Sequence, residues 1–409
     1  MAENLSVSRL EITRFKLNAL LEITQAINEN LSQESLLVRY KTILREELKI
    51  GKLVLFKYAG DWELIMCSGY DQDLAGKIDV VNDLLQFEDI SFISGDRESP
   101  VQAFDIVIPV IRDNTALAFV LIGDIDEETE GVSPTIKHLH FIQTLSNIIV
   151  VAIENIRLNQ ENIRQAAIKK ELELASKLQE MLIPHSSKLP SSGPLKVSAF
   201  YHPHMDVGGD YYDFIELRKN EYGFCICDVS GKGISAAFIM SNFQANLRAL
   251  FTTDITLESL VVRLNDRVTE STNGERFLTM FIGKYNTESR ELSYINAGHN
   301  APLVYNKDTG VLTKLDSHCV GIGMIDIMPQ LESRKISIDN NVKLLCYTDG
   351  LVEILFDEVV EDSTDSLEPF LTNAHPIADN IAEIVKDHCI LEGNKGIFDD
   401  ITILGFEFD

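Results

Sequence analysis

The chain has 409 residues, 45% of them hydrophobic, a formal net charge of −27 and a pI near 4.7. That length exceeds a usual single domain, and that acidity argues against a general nucleic-acid surface while leaving room for a local basic patch. Six cysteines (Cys67, Cys225, Cys227, Cys319, Cys346 and Cys389) show neither zinc spacing nor a compact disulfide framework. They read as buried thiols in a reducing compartment. No basic stretch leads into an apolar segment and cleavage site, and no uninterrupted apolar run reaches spanning length. The expectation is a soluble, cytoplasmic protein without an integral membrane segment.

From Leu10 to Asn30, Phe15, Leu17, Leu20, Leu21, Ile23, Ala26 and Ile27 recur with a helical period. Ser32 is placed to cap a second helix, with Glu34 and Ser35 in its first turn. The period then changes. GKLVLFKYAGDWELIMCSGY predicts two strands around a turn at Ala59 to Asp61, and VQAFDIVIPVIRDNTALAFVLIGD two more around Arg112 to Asn114. A long helix is predicted from Ser133 or Pro134 through HLHFIQTLSNIIVVAIENIRL. Helices at both ends with hairpins between them imply an α+β module whose sheet is covered on at least one face. In that pattern residues 1–154 resemble a GAF domain. A small-molecule ligand and a purely structural dimerisation role are both open, and Cys67 reads as a strand residue rather than a chromophore anchor.

Residues 155–194 read as a helical signalling connector. Ile149, Ile153, Ile156, Gln160, Ile163, Ala167, Lys170 and Leu174 alternate steps of four and three, and a further step of four to Leu178 shifts the stripe before Met181. A surface helix lying on its own domain and a parallel dimeric helix both satisfy this pattern; the second implies a homodimer. Pro184 stops the helix, and SSGP at Ser191 to Pro194 marks the boundary.

Beyond residue 195, PLKVSAFYHP, YDFIEL and GFCICDV are strand candidates and ISAAFIMSNFQANLRALF a strong helix. LESLVVRLNDRVTEST is another helix, FLTMFIGKYN, RELSYINAG and APLVYN are strands, and HPIADNIAEIVKDHC is the final helix before a strand at Ile401 to Phe406. DVGGD and CDVSGKG stand about one hairpin apart, with Asp210 near the start of one strand and Asp228 at the end of the next. Asp349 follows the run Leu344 to Tyr347, and Asp399 and Asp400 precede the last strand. Carboxylates and carbonyls are hard ligands suited to Mg²⁺ or Mn²⁺, and strand-end carboxylates this far apart converge only if the strands share a sheet. Ordinary Asp-Gly turns remain the alternative at this point.

The ordered motifs LQEMLIP, DVGGDYYD, DVSGKGISAAFIMS, RFLTMFIG, LSYINAGHNAPLV, YTDGLVE and DDITIL resemble the SpoIIE/RsbU branch of the PPM (PP2C-like) serine/threonine phosphatases. The resemblance implies an αββα β-sandwich flanked by helices over residues 195–409. It further implies two divalent cations, Mn²⁺ or Mg²⁺, bridged by Asp228, with the Val229 carbonyl on one of them and Asp210, Asp349 and Asp399 as further ligands. Asp400 would support the loop or bind through water. Asp206, Asp213 and Glu353 read better as caps, turns or solvated positions, Lys232 as a phosphate-attracting charge or a solvent-facing turn residue, and His299 as a packed or turn-bonding histidine. No Ser/His/Asp constellation surrounds Ser230. GISAA stands where the family often has a proline after the glycine, and the acidic stretch of residues 357–368 is an insertion that is either solvated or binds a basic face.

The implied reaction is direct hydrolysis of phosphoserine or phosphothreonine on a regulatory protein, typically a phosphorylated STAS-domain anti-sigma-factor antagonist in a partner-switching circuit, under control of the N-terminal domain. A catalytically inactive interaction module and a small-molecule phosphate-ester hydrolase are the alternative classes.

Overall fold

The computed structural model describes residues 2–93, 99–112, 115–125, 138–355, 366–388, 390–392 and 397–409. The chain folds as two compact units, Met1–Ala166 and Ala167–Asp409. The predicted helix start at Ser133 or Pro134, part of the second hairpin turn, most of the acidic stretch 357–368 and Cys389 lie outside the described residues.

In the first unit α1 (Ala2–Asn28) and α2 (Gln33–Thr42) precede β1 (Ile50–Tyr58), β2 (Trp62–Ser68), a short α3 (Gln72–Ala75), β3 (Ser91–Phe92), β4 (Ile106–Arg112) and β5 (Thr115–Ile125). Ser32 caps α2 by accepting from the Ser35 N–H. Among the described residues the strands form one antiparallel sheet in the order β2-β1-β5-β4-β3. The two-residue period of a strand divides its apolar side chains between two cores. Leu53, Leu55, Ile108, Val120 and Ile122 pack with Ile23, Tyr40, Leu145 and Ile149, while Val54, Phe56, Val107, Phe119 and Leu121 pack with Ala75, Val80 and Leu84. Both faces of this sheet are therefore covered.

The 42-residue α4 (Leu139–Glu180) continues without a break beyond the first unit and stops before Pro184. Part of it is long and apolar enough to cross a membrane by length and composition. In the fold, Ile142, Leu145, Ile149, Val150 and Ile153 of that stretch are core residues of the first unit. The connector stripe is consequently divided: Ile149 and Ile153 are buried and Ile156 packs against the same core, whereas Ile163 and Leu174 are 62% and 54% exposed. The surface-helix reading holds for the first part of the stripe.

The second unit contains β6 (Leu195–His202), β7 (Tyr211–Arg218), β8 (Glu221–Val229), α5 (Ile234–Leu250), α6 (Leu257–Thr272), β9 (Leu278–Asn286), β10 (Glu291–Ala297), β11 (Leu303–Asn306), β12 (Val311–Lys314), β13 (Arg334–Ser337), β14 (Val342–Tyr347), α7 (Asp349–Leu355), α8 (Glu368–Leu371), α9 (Ile377–Asp387) and β15 (Ile401–Phe408). Among the described residues these make two antiparallel sheets, β13-β10-β9-β8-β7 and β12-β11-β14-β15-β6. Phe224 of β8 and Phe406 of β15 meet at 4.3 Å between ring centroids, within a core that draws on both sheets. Helices α5 and α6 pack together against the first sheet, and α9 against β6 and β15 of the second. This is the mixed, helix-flanked β-sandwich expected for residues 195–409.

Candidate metal centre

The sandwich brings the ends of β7, β8, β14 and β15 to one place. Antiparallel pairing sets Tyr211 opposite Cys227, so Asp210, just before β7, lies beside Asp228 near the end of β8. On the second sheet β14 pairs with β15, which delivers Asp349 at the start of α7 next to Asp399 and Asp400.

Asp210 is buried, and its Oδ2 accepts the hydroxyls of Thr348 at 2.7 Å and Thr402 at 2.6 Å. The Thr348 hydroxyl in turn accepts the Thr402 N–H at 2.9 Å. Asp400 holds the 203–210 loop in place: its carboxylate accepts the His204 N–H at 2.8 Å and the Gly209 N–H at 2.6 Å. Close approach explains the glycine pair. A Cβ at Gly208 would stand 2.6 Å from the Asp400 carboxylate, and one at Gly209 would stand 3.1 Å from the Val229 carbonyl. The same loop is held from α4, where the buried Gln179 amide donates to the Gly208 carbonyl at 2.6 Å and accepts the Gly208 N–H at 3.0 Å.

Mutual repulsion marks the cluster. Burial, then Asp349, Asp399 and Asp400, push the Asp228 carboxyl up to about 7, while Lys232 pulls the other way. Burial, followed by Asp228 and Asp400, holds Asp210 well above the usual carboxylate range despite its two hydroxyl donors. Asp349 is raised by burial and then by Asp399, and Asp400 by burial against the pull of its backbone donors. Such a set of hard oxygen donors, buried and charged alike, fits divalent cations. Among the described residues, however, no three His, Cys, Asp or Glu side chains are grouped so as to hold a metal ion. Threonine hydroxyls, backbone amides and Lys232 engage these carboxylates instead.

One single-residue reading changes. Asp213 is no turn or solvated residue: it is fully buried, paired with Arg248 of α5 through two bonds of 2.8 Å, and accepts the Tyr211 hydroxyl at 2.5 Å. Lys232 is exposed in its turn, as the solvent-facing reading has it, and its Nζ also lies 2.7 Å from Asp399 Oδ2 and 2.5 Å from the Phe398 carbonyl. Asp206 and Glu353 are exposed, and the partial burial of Glu353, followed by Asp349 and Asp399, raises its carboxyl. His299 is buried behind the site as a packed histidine. Its Nδ1 is 2.8 Å from Thr279 Oγ1, its backbone N–H donates to Asn296 Oδ1, and burial pushes the imidazole down to about 4. The Ser230 hydroxyl accepts the Phe277 N–H just beyond the last paired residues of β8 and β9.

Sequence reasoning missed Thr348, Thr402, Gln179 and Arg248. The first two adjoin motif aspartates in TDG and DDIT, and Gln179 sits within LQEMLIP, so each lay inside a quoted motif. Arg248 lies outside the motifs, toward the end of α5.

Residues 218–409 match the family model described as Stage II sporulation protein E (SpoIIE). The chain is 24% identical over 242 residues to phosphoserine phosphatase RsbU of Bacillus subtilis (strain 168), covering 59% of this chain and 70% of that protein. It is 26% identical over 331 residues to protein IcfG of Synechocystis sp. (strain ATCC 27184 / PCC 6803 / Kazusa), covering 73% of this chain but 50% of that protein. Among solved structures, the SiaA-PP2C domain of Pseudomonas aeruginosa aligns with a TM-score of 0.50 at 19% identity over 60% of this chain and 99% of that domain, a likeness of fold. At the family level, therefore, the C-terminal part of this chain is homologous to the SpoIIE–RsbU branch of the PPM (PP2C-like) phosphatases.

Proposed function

We propose that the chain is a metal-dependent protein serine/threonine phosphatase whose activity is governed by its N-terminal unit. The observation that carries this reading is the gathering of Asp210, Asp228, Asp349 and the Asp399–Asp400 pair at one edge of the sandwich, from four different motifs. Two divalent cations, Mn²⁺ or Mg²⁺, supply charge for the phosphoryl oxygens and the attacking water when bound. Asp210, Asp228, Asp349 and Asp399, with the Val229 carbonyl, are the groups that would hold them.

The protein's own contribution is positioning. Thr348 and Thr402 orient Asp210 from the second sheet, and Asp400 ties the 203–210 loop so that the Gly209 backbone can lie against Val229. No protein nucleophile is invoked. RsbU, by its description a phosphoserine phosphatase, supports a phosphoserine-bearing protein as substrate here, with a phosphorylated STAS-domain regulator as the first candidate. We assign the N-terminal unit a GAF-like role as a sensor or dimerisation module, and the exposed part of α4 a role in a cytoplasmic homodimer. Gln179 gives that helix a direct hold on the loop beside Asp210.

The test incubates purified full-length protein with phosphorylated STAS-domain proteins, other phosphoproteins, nucleotides and small phosphate esters, in Mn²⁺, Mg²⁺ or chelator. Cation-dependent phosphate release from phosphoserine proteins is expected. Release from nucleotides or small esters alone would move the assignment to a small-molecule hydrolase, and no release from any substrate would make the fold an interaction module.

A further inference from the structure

Lys232 lies in the turn between β8 and α5, four residues after Asp228. Its ammonium contacts two consecutive residues of the segment leading into β15, the Asp399 carboxylate through Oδ2 at 2.7 Å and the Phe398 carbonyl at 2.5 Å. The other Asp399 oxygen, Oδ1, accepts the Asp400 N–H at 2.8 Å. Both oxygens of Asp399 are thus engaged, one by a fixed backbone donor and one by a mobile ammonium on a four-carbon stem. The Lys232 side chain is 45% exposed and that of Asp399 26%, so the pair opens toward water without unpacking the core.

We propose that Lys232 is a positioning residue that acts as a built-in monovalent competitor for Asp399: its ammonium holds Oδ2 and must leave before that oxygen can serve a divalent cation. The inference rests on the metal-centre reading above. It gives the Asp228–α5 turn a way to register cation capture 166 residues away in sequence, because the ammonium leaves Phe398 and Asp399 together. Lys232 sets how readily the last carboxylate is handed over. It also counters the repulsion among Asp228, Asp349 and Asp399 until that exchange occurs.

The experiment is a calorimetric Mn²⁺ titration of full-length protein without phosphorylated substrate, on wild type and on Lys232→Met, Lys232→Gln, Lys232→Arg and Arg276→Gln. Arg276 donates to the Ser230 carbonyl in the same turn, so its replacement removes a nearby positive charge that does not hold Asp399. Lys232→Met and Lys232→Gln are expected to bind Mn²⁺ about two- to fivefold more tightly, the worth of a half-exposed ion pair. Lys232→Arg should retain wild-type affinity, and Arg276→Gln should stay within about twofold of it. A merely structural loss in the turn would weaken binding rather than strengthen it. Equal or weaker binding by folded Lys232→Met and Lys232→Gln, or an equal gain in Arg276→Gln, overturns the proposal. Failure of the wild type itself to bind Mn²⁺ would overturn the metal-centre reading as well, so the two failures are distinguishable.

Discussion

Replacing Asp228 with Asn should make the cation-free protein more stable and the enzyme inactive. The carboxyl rises from an ordinary 3.8 to about 7 in the fold, first through burial and then through Asp349, Asp399 and Asp400. Because the folded-state pKa lies above the unfolded one, the fold keeps a proton that the unfolded chain releases between pH 3.8 and about 7. Stability therefore falls as pH rises through that window, and the penalty is complete above it. At ~1.4 kcal/mol per pH unit the ceiling is roughly 4 kcal/mol, and sharing among interacting carboxylates makes about 2–4 kcal/mol the expected gain for Asp228→Asn at pH 8 in chelator. Near pH 4 the gain should vanish. Hydrogen exchange of β8 amides at pH 4.5, 6 and 8 reads the second unit directly. Trp62, the chain's single tryptophan, reports on the first unit and should not move. Turnover on a phosphoserine protein in Mn²⁺ should fall at least a hundredfold. Parallel stability profiles for the two proteins, or near-normal turnover in the folded variant, would refute the reasoning.

Arg248→Ala strips the buried Asp213 of both its guanidinium bonds and should cost about 2–4 kcal/mol in denaturant unfolding of the second unit, more than removal of a solvated partner would. Gln179→Leu leaves the Gly208 N–H and carbonyl without their partner. It is expected to lower protection of the 203–210 amides in hydrogen exchange by about 1–2 kcal/mol and to reduce turnover, with the strands of the first unit unaffected. Changing Ile163 and Leu174 together to Lys should weaken self-association by at least tenfold in analytical ultracentrifugation and blunt the response to an N-terminal signal. Ile156 is left intact because it packs on the core of its own unit. An equally associated and equally responsive double variant would leave α4 as a surface helix.

The local elements were legible in the sequence because each has a short-range cause. The apolar run Leu53 to Phe56 marks a strand, Ser32 a helix start, and the aspartates beside apolar runs a set of strand ends. Resemblance then named the residues to watch. Their engagement could be read only in three dimensions, since each depends on a partner brought from far along the chain. Asp210 is set by Thr348 and Thr402, 138 and 192 residues away, and Asp399 is held by Lys232 from another element. The same holds for Asp213. Along the sequence it is one more polar residue in an apolar run, and burial against Arg248, 35 residues on, turns it into an internal anchor. The connector's apolar period was plain in the sequence, but an apolar period does not say what covers it. The fold decides that Ile149 and Ile153 are claimed by their own sheet while Ile163 and Leu174 face water, because packing distance rather than spacing along the chain determines which apolar side chains are desolvated.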